Sequence, residues 1–235
     1  MHRVRIVGAG RAGSALARAL GQVGWTVEPA LGRGDDLAAA AEGVDLLVLA
    51  TPDGAIAEVA QAVRPFDSTV VAHLAGSLGL AALEPHPRRA AVHPLVALPD
   101  AELGAARLRA GAWFGVAGDP MAREVVDHLG GHWLDVADEQ RAAYHAAAVI
   151  ASNHLVALLG HAERVAGAVG VPLEAYLDLV RGTVENVAAL GPQAALTGPV
   201  ARGDEDTIAR HLEALDPDER ETYEAMVAAA RKLAG

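Results

Sequence analysis

The N-terminal segment Arg3-Val4-Arg5-Ile6-Val7 leads directly into Gly8-Ala9-Gly10-Arg11-Ala12-Gly13, and an Ala/Leu-rich run with helical spacing begins at once. A short strand, a Gly-x-Gly-x-x-Gly turn and a helix in that order form a phosphate-binding element. The first glycine allows the tight turn, the second lets the backbone approach a pyrophosphate, and the third lets the helix pack close to the strand. Free N–H groups at the helix start then face an anion. No Asp or Glu lies in the turn to repel phosphate. Gly8, Gly10, Arg11, Ala12 and Gly13 are therefore the expected cradle of a dinucleotide, against the plainer reading that the glycines only tighten a strand-to-helix connection.

The following segments extend this start into an α/β fold, a Rossmann-like doubly wound parallel sheet over residues 1–137. A second strand is expected near Thr26 to Leu31. Glu28 lies early in it, before Pro29, and is expected to point away from a ribose. Arg33 stands nearer the place where a cofactor's ribose is read, and a guanidinium there suits the 2′-phosphate of NADP rather than NAD. The plain alternative for Arg33 is a solvated loop. Asp35 and Asp36 are expected to begin a short helix. Val44 to Ala50 is a continuous apolar run that suits a strand buried on both faces. It ends in Ala50-Thr51-Pro52-Asp53, which either touches the cofactor or simply starts a helix.

Further strands are expected at Thr69 to His73, around Ala91-Val92-His93-Pro94-Leu95, near Trp113 to Ala117 and around His132 to Val136. Two of these strand ends bring His73, Ser77 and His93 towards one sheet edge, where they could line a substrate cleft. Each could also serve only a turn.

From Asp138 the pattern changes to an all-helical domain, residues 138–235. Asp138 to Val169 contains no proline, and Tyr144 to Leu159 contains no Asp, Glu, Lys or Arg. A helix apolar nearly all round should be buried centrally. His145, Asn153 and His154 interrupt it too often for a membrane span. Its bare surface predicts a homodimer through residues 138–235. Asp204 is read first as a helix cap, and alternatively as reaching an intersubunit cleft with Arg202.

Composition narrows the partners. The net charge of −11 and an aromatic content of 3% argue against nucleic acid and anionic lipid. The absence of cysteine removes thiolate chemistry and disulfides, and the sequence assigns no metal site. A cytoplasmic protein acting on a small molecule is the expectation.

The glycine turn, Ala50-Thr51-Pro52-Asp53, His73-Leu74-Ala75-Gly76-Ser77, His93-Pro94, Tyr144-His145-Ala146-Ala147-Ala148 with Ser152-Asn153, and Leu196-Thr197-Gly198-Pro199 with Arg202-Gly203-Asp204 form a series. It resembles a bacterial family of Rossmann-like proteins whose helical C-terminal half is a domain of unknown function. That family is similar to the 6-phosphogluconate dehydrogenase, ketopantoate reductase and pyrroline-carboxylate reductase group. The resemblance implies NADP binding and a helical domain that closes the cleft and often dimerises. Hydroxyacid dehydrogenases and ketopantoate reductases use a lysine on the first long helix as proton donor, but the only lysine here is Lys232. With lysine and cysteine gone, the catalytic candidates are His145 and Asn153, eight residues apart on one helix, with Ser77 and His93 from the sheet. The expectation is an NADP-dependent oxidoreductase moving hydride to or from a small, anionic metabolite. The alternative is an NADP(H) sensor without turnover.

Overall fold

The apolar runs become one seven-stranded sheet in the order β2-β1-β3-β4-β5-β6-β7. The strands are β1 Arg3–Val7, β2 Thr26–Val27, β3 Leu46–Leu49, β4 Val70–His73, β5 Arg89–Pro94, β6 Trp113–Gly118 and β7 His132–Asp135. The computed structural model describes every residue, Met1–Gly235. Strands β1 to β5 are mutually parallel. β6 reverses against β5, and β7 follows β6. The sheet is therefore mostly rather than wholly parallel.

Alternation along the strands separates two cores. Val4, Ile6, Leu46, Val48, Val70, Ala72, Val92, Phe114 and Val116 pack on one face, against α1 (Arg11–Gln22), α3 (Ala101–Leu108) and α4 (Met121–His128). Val7, Leu47, Leu49 and Val71 pack on the other, against α2 (Ile56–Ala62). All four residues of β3 are buried, as its unbroken apolar run requires. Asp100 caps α3 by accepting from the N–H groups of Glu102 and Leu103.

Two local expectations change. The second strand shrinks to Thr26–Val27. The chain still runs beside β1, with Leu31 N–H donating to Ile6 and Gly8 N–H to Leu31, but the pairing slips by one residue after Pro29: Thr26 and Glu28 donate to His2 and Val4, and Leu31 rather than Ala30 donates to Ile6. No helix forms after Asp35 and Asp36. Their carboxylates instead accept from Gly32 N–H and Ala38 N–H and close turns.

The chain divides into two compact units, Met1–Ile150 and Ala151–Gly235. The first ends in α5 (Arg141–Val149). The second begins within a π-helical turn, Ile150–His154, and continues through α6 (Leu155–Gly167) and α7 (Leu177–Leu190). Two short helices follow, α8 (Pro192–Ala195) and α9 (Gly198–Arg202), and then α10 (Glu205–Ala214) and α11 (Pro217–Ala234). Asp204 caps α10 through Thr207 N–H at 3.0 Å. Arg164 on α6 grips Glu219 on α11 with two hydrogen bonds, of 2.6 and 3.0 Å.

The expected central burial of the apolar helix does not occur within one chain. Only His161, Ala166, Ile208 and Val227 of the second unit are buried, while Val156 is 71% exposed and Leu179 68%. Four or five short helices cannot wrap a helix apolar on every side. By length and composition Asp138–Gly167 is long and apolar enough to cross a membrane, a test that core helices of soluble proteins also pass.

Candidate active site

The carboxyl ends of β1, β3, β4 and β5 lie side by side, and the sequence places its chemistry there. At β1 the turn is built by steric exclusion. Gly8 has φ +105°, and a Cβ on it would stand 2.7 Å from the Ala50 carbonyl oxygen. A Cβ on Gly13 would overlap the Gly8 carbonyl, while one on Gly10 would meet nothing within 4 Å. The two flanking glycines thus let α1 sit tight against β1 and β3, and the middle one leaves its side open. The first turn of α1 carries no acidic residue. This arrangement fits a pyrophosphate bound by backbone N–H groups.

Ala50 follows β3 directly beside this turn, its N–H bonded to Val7. Thr51 holds its hydroxyl buried without a partner. Pro52 starts a 3₁₀ turn over Asp53–Ala55, and Asp53 accepts a hydrogen bond from Ser77 at 3.2 Å. The segment thus starts a helix and lies beside the glycine turn. Arg11 and Arg33 are exposed. Glu28 is held by Arg3 at 2.7 Å, at the opposite end of β1, and so faces away from the turn.

His73 and His93 end β4 and β5 on the sheet face opposite α1, and α5 closes over that face. Tyr144 sits against Gly115 on β6, where a Cβ would collide with the phenol oxygen. Its hydroxyl makes a 2.7 Å hydrogen bond with His93 Nδ1. His145 lies edge-on to His93, ring centroids 5.6 Å apart, and its Nδ1 fills the space that a Cβ on Gly76 would need. Arg141, one turn earlier on α5, is fully buried. Asp138 stands 3.4 Å from its Nε, and Nη1 and Nη2 have no partner. Asp138 also accepts from Leu80 N–H at 3.0 Å, which ties this segment to the loop after β4.

The electrostatics follow from burial beside one fixed cation. His73 is wholly buried, and its pKa is lowered to about 4, first by desolvation and then by Arg141. His93 is lowered to about 4 by desolvation, then by His145 and Arg141. Burial raises the Tyr144 phenol, against the opposing pull of Arg141. At neutral pH this pocket therefore holds a neutral tyrosine, neutral His73 and His93, and one guanidinium whose outer nitrogens are uncommitted.

His93 and His145 thus meet, and Ser77 is hydrogen-bonded to Asp53, whose charge acts on His93. Asn153 is exposed in the π-helical turn of the second unit, hydrogen-bonded to Ser152. Sequence reasoning passed over Arg141 and gave Tyr144 no role. The available signal was Asp138 and Arg141 at i, i+3 ahead of a charge-free helix, a pairing usual on solvated faces.

The sequence profile of a domain of unknown function, DUF2520, matches residues 113–230, which is 118 of the 235 residues. No curated protein matches the sequence. Several solved structures share the fold. One, from Bacteroides fragilis and named provisionally as an NADP oxidoreductase, superposes with a TM-score of 0.81 at 23% identity over 98% of both chains. A Thermotoga maritima protein gives 0.75 at 24% identity, also over 98% of each chain. A reductive aminase from Aspergillus terreus, solved with NADPH4, cyclohexanone and allyl amine, gives 0.70 at 17% identity over 99% of this chain and 94% of its own.

Proposed function

The chain belongs to the family defined by the domain of unknown function DUF2520, and within it we propose an NADP-dependent oxidoreductase acting on a small, anionic carbonyl or imine compound. The observation that carries this reading is the placement of the Tyr144–His93–Arg141 cluster at the same sheet edge as the glycine turn. The named NADP oxidoreductase and the reductive aminase, which share the fold, support it. The cofactor when bound would supply the hydride as NADPH or accept it as NADP⁺.

The protein's own part is the proton. Tyr144 donates to His93 Nδ1, which leaves the neutral ring's proton on Nε2. That N–H can pass to an oxygen or nitrogen anion developing on the substrate while Nδ1 takes the tyrosine proton. The tyrosinate so formed is stabilised by the Arg141 guanidinium. The sequence alone favours His145 as donor. The Tyr144 hydroxyl, however, is a proton donor already in place, 2.7 Å from the His93 ring. The outer nitrogens of Arg141 also favour a substrate bearing negative charge. The test is NADPH oxidation by the purified protein against a panel of keto acids, imines and aldehydes. NADPH binding without oxidation across the panel would favour a sensor that binds NADP(H) without turnover.

Arg33 is proposed to select NADP. It lies two residues after Leu31, whose carbonyl accepts from Gly8 N–H, and it makes no hydrogen bond or ion pair within the chain. A charge-assisted contact contributes roughly 1.5–3 kcal/mol, so Arg33→Ala is expected to weaken NADP binding by about 10- to 150-fold and leave NAD nearly unchanged. Calorimetry with both cofactors checks this, and equal losses would remove the assignment.

The reading includes a homodimer through residues 138–235. Val156, Leu179, Val184 and Leu190 are all more than half exposed, and apolar surface of that extent on helices favours cover by a second copy. Light scattering at micromolar concentration should give twice the mass of the 24.1 kDa chain. A monomer would end the claim.

A further inference from the structure

We propose a divalent transition-metal site formed by His2, Glu124 and His128, at the end of the sheet remote from the glycine turn. His2 precedes β1, and Glu124 and His128 lie one turn apart on α4, at the i, i+4 spacing that puts two side chains on one helix face. One ligand atom from each of the three residues lies within 4.8 Å of the others. His2 Nε2 is already 2.7 Å from Glu124 Oε1. The five residues of β1 separate His2 from Gly8, on the order of 20 Å, so the site is independent of the nucleotide cradle.

The donor set selects the ion. Two imidazoles and one carboxylate suit Zn²⁺, Co²⁺ or Ni²⁺ rather than Mg²⁺ or Ca²⁺, which take oxygen ligands, and three protein ligands leave a position for water. An outer shell is also present. His2 Nδ1 faces Asp45 Oδ2 at 3.9 Å, and Asp45 is itself anchored by Arg3 N–H at 2.8 Å. Nε2 now carries the hydrogen shared with Glu124; a metal taking that position would shift the proton to Nδ1, on the side of the Asp45 carboxylate. Glu124 and Asp45 together offset the charge of a dication. Such an ion would clip the start of β1 to the last turn of α4.

Trp25 supplies a built-in reporter. Its indole stacks on His2 with centroids 4.7 Å apart, and its Nε1–H donates to His128 Nδ1 at 2.9 Å. Coordination through Nδ1 displaces the indole. Coordination through Nε2 moves the ring proton to Nδ1, where it opposes the indole N–H. Either mode breaks this bond, a single neutral hydrogen bond that metal ligation outweighs.

The experiment uses the full chain, free of any affinity tag, with Trp113 and Trp133 replaced by Phe so that Trp25 alone emits. Zn²⁺ titration should change Trp25 emission with a stoichiometry of one, and Co²⁺ should give the visible absorption of a low-coordinate N/O site. Glu124→Gln and His128→Gln should each weaken binding by more than about 10-fold, and Asp45→Asn by about 10-fold. The proposal is overturned if Trp25 does not respond to millimolar Zn²⁺ or if the Glu124 and His128 variants bind like the parent. Loss of binding on His145→Gln in place of these variants would also overturn it.

Discussion

Replacing Tyr144 with phenylalanine should lower turnover by about 10²- to 10⁴-fold once a substrate is found, with NADPH affinity unchanged. The substitution removes one oxygen, the atom 2.7 Å from His93 Nδ1, and leaves the ring against Gly115. His93→Gln should cost a similar factor, because it removes the ring that carries the proton onward. The double variant should be little worse than either single one, since two members of one relay do not contribute independently. Single-turnover kinetics in D₂O, compared with deuterated NADPH in H₂O, would show that the proton step rather than the hydride step has slowed. A full-strength Tyr144→Phe enzyme combined with a large loss in His145→Gln would return the donor role to His145.

The legible part of the site was the part written in contiguous residues. Gly8 to Gly13, the apolar run ending at Ala50 and the strand ends at His73 and His93 each announce themselves through local pattern. The sheet order then brings them to one edge, because parallel strands put their carboxyl ends together. The reversal of β6 carries no local signal, since a strand reads the same in both directions. Arg141 was invisible for a related reason. An arginine near the start of a helix is normally solvated, and only the closure of α5 over β4, β5 and β6 buries it. Tyr144 could be quoted as part of a motif without revealing that its hydroxyl meets His93, 51 residues earlier in the chain. The apolar helix misled in the opposite direction. Its composition calls for burial, but composition does not say whether the covering surface belongs to the same chain.

Acid should destabilise the first unit well above the pH at which carboxylates protonate, because His73 and His93 must be buried neutral. Their folded pKa values, about 4, lie below the ordinary 6.5. The unfolded chain therefore binds more protons between these limits. The stability they protect is fully present above about pH 6.5, falls as pH drops from there to about 4, and levels off below. One pKa unit corresponds to about 1.4 kcal/mol, so His73 accounts for a loss of about 3 kcal/mol, and the partly exposed His93 for less. Asp53 and Asp138 oppose the shift at His73 but do not cancel it, since burial and Arg141 outweigh them. Urea unfolding followed by tryptophan emission from pH 7 to 4 should show stability falling with a slope approaching two protons. His73→Leu is the discriminating variant. It keeps the side chain's size on β4 and removes two ring nitrogens that have no hydrogen-bond partner of normal geometry. It should reduce the slope by about one proton and leave the protein at least as stable at pH 5 as the parent. An unchanged slope would mean that His73 exchanges its proton as freely in the folded protein as in the unfolded chain, and would remove the electrostatic picture of a neutral pocket around Arg141.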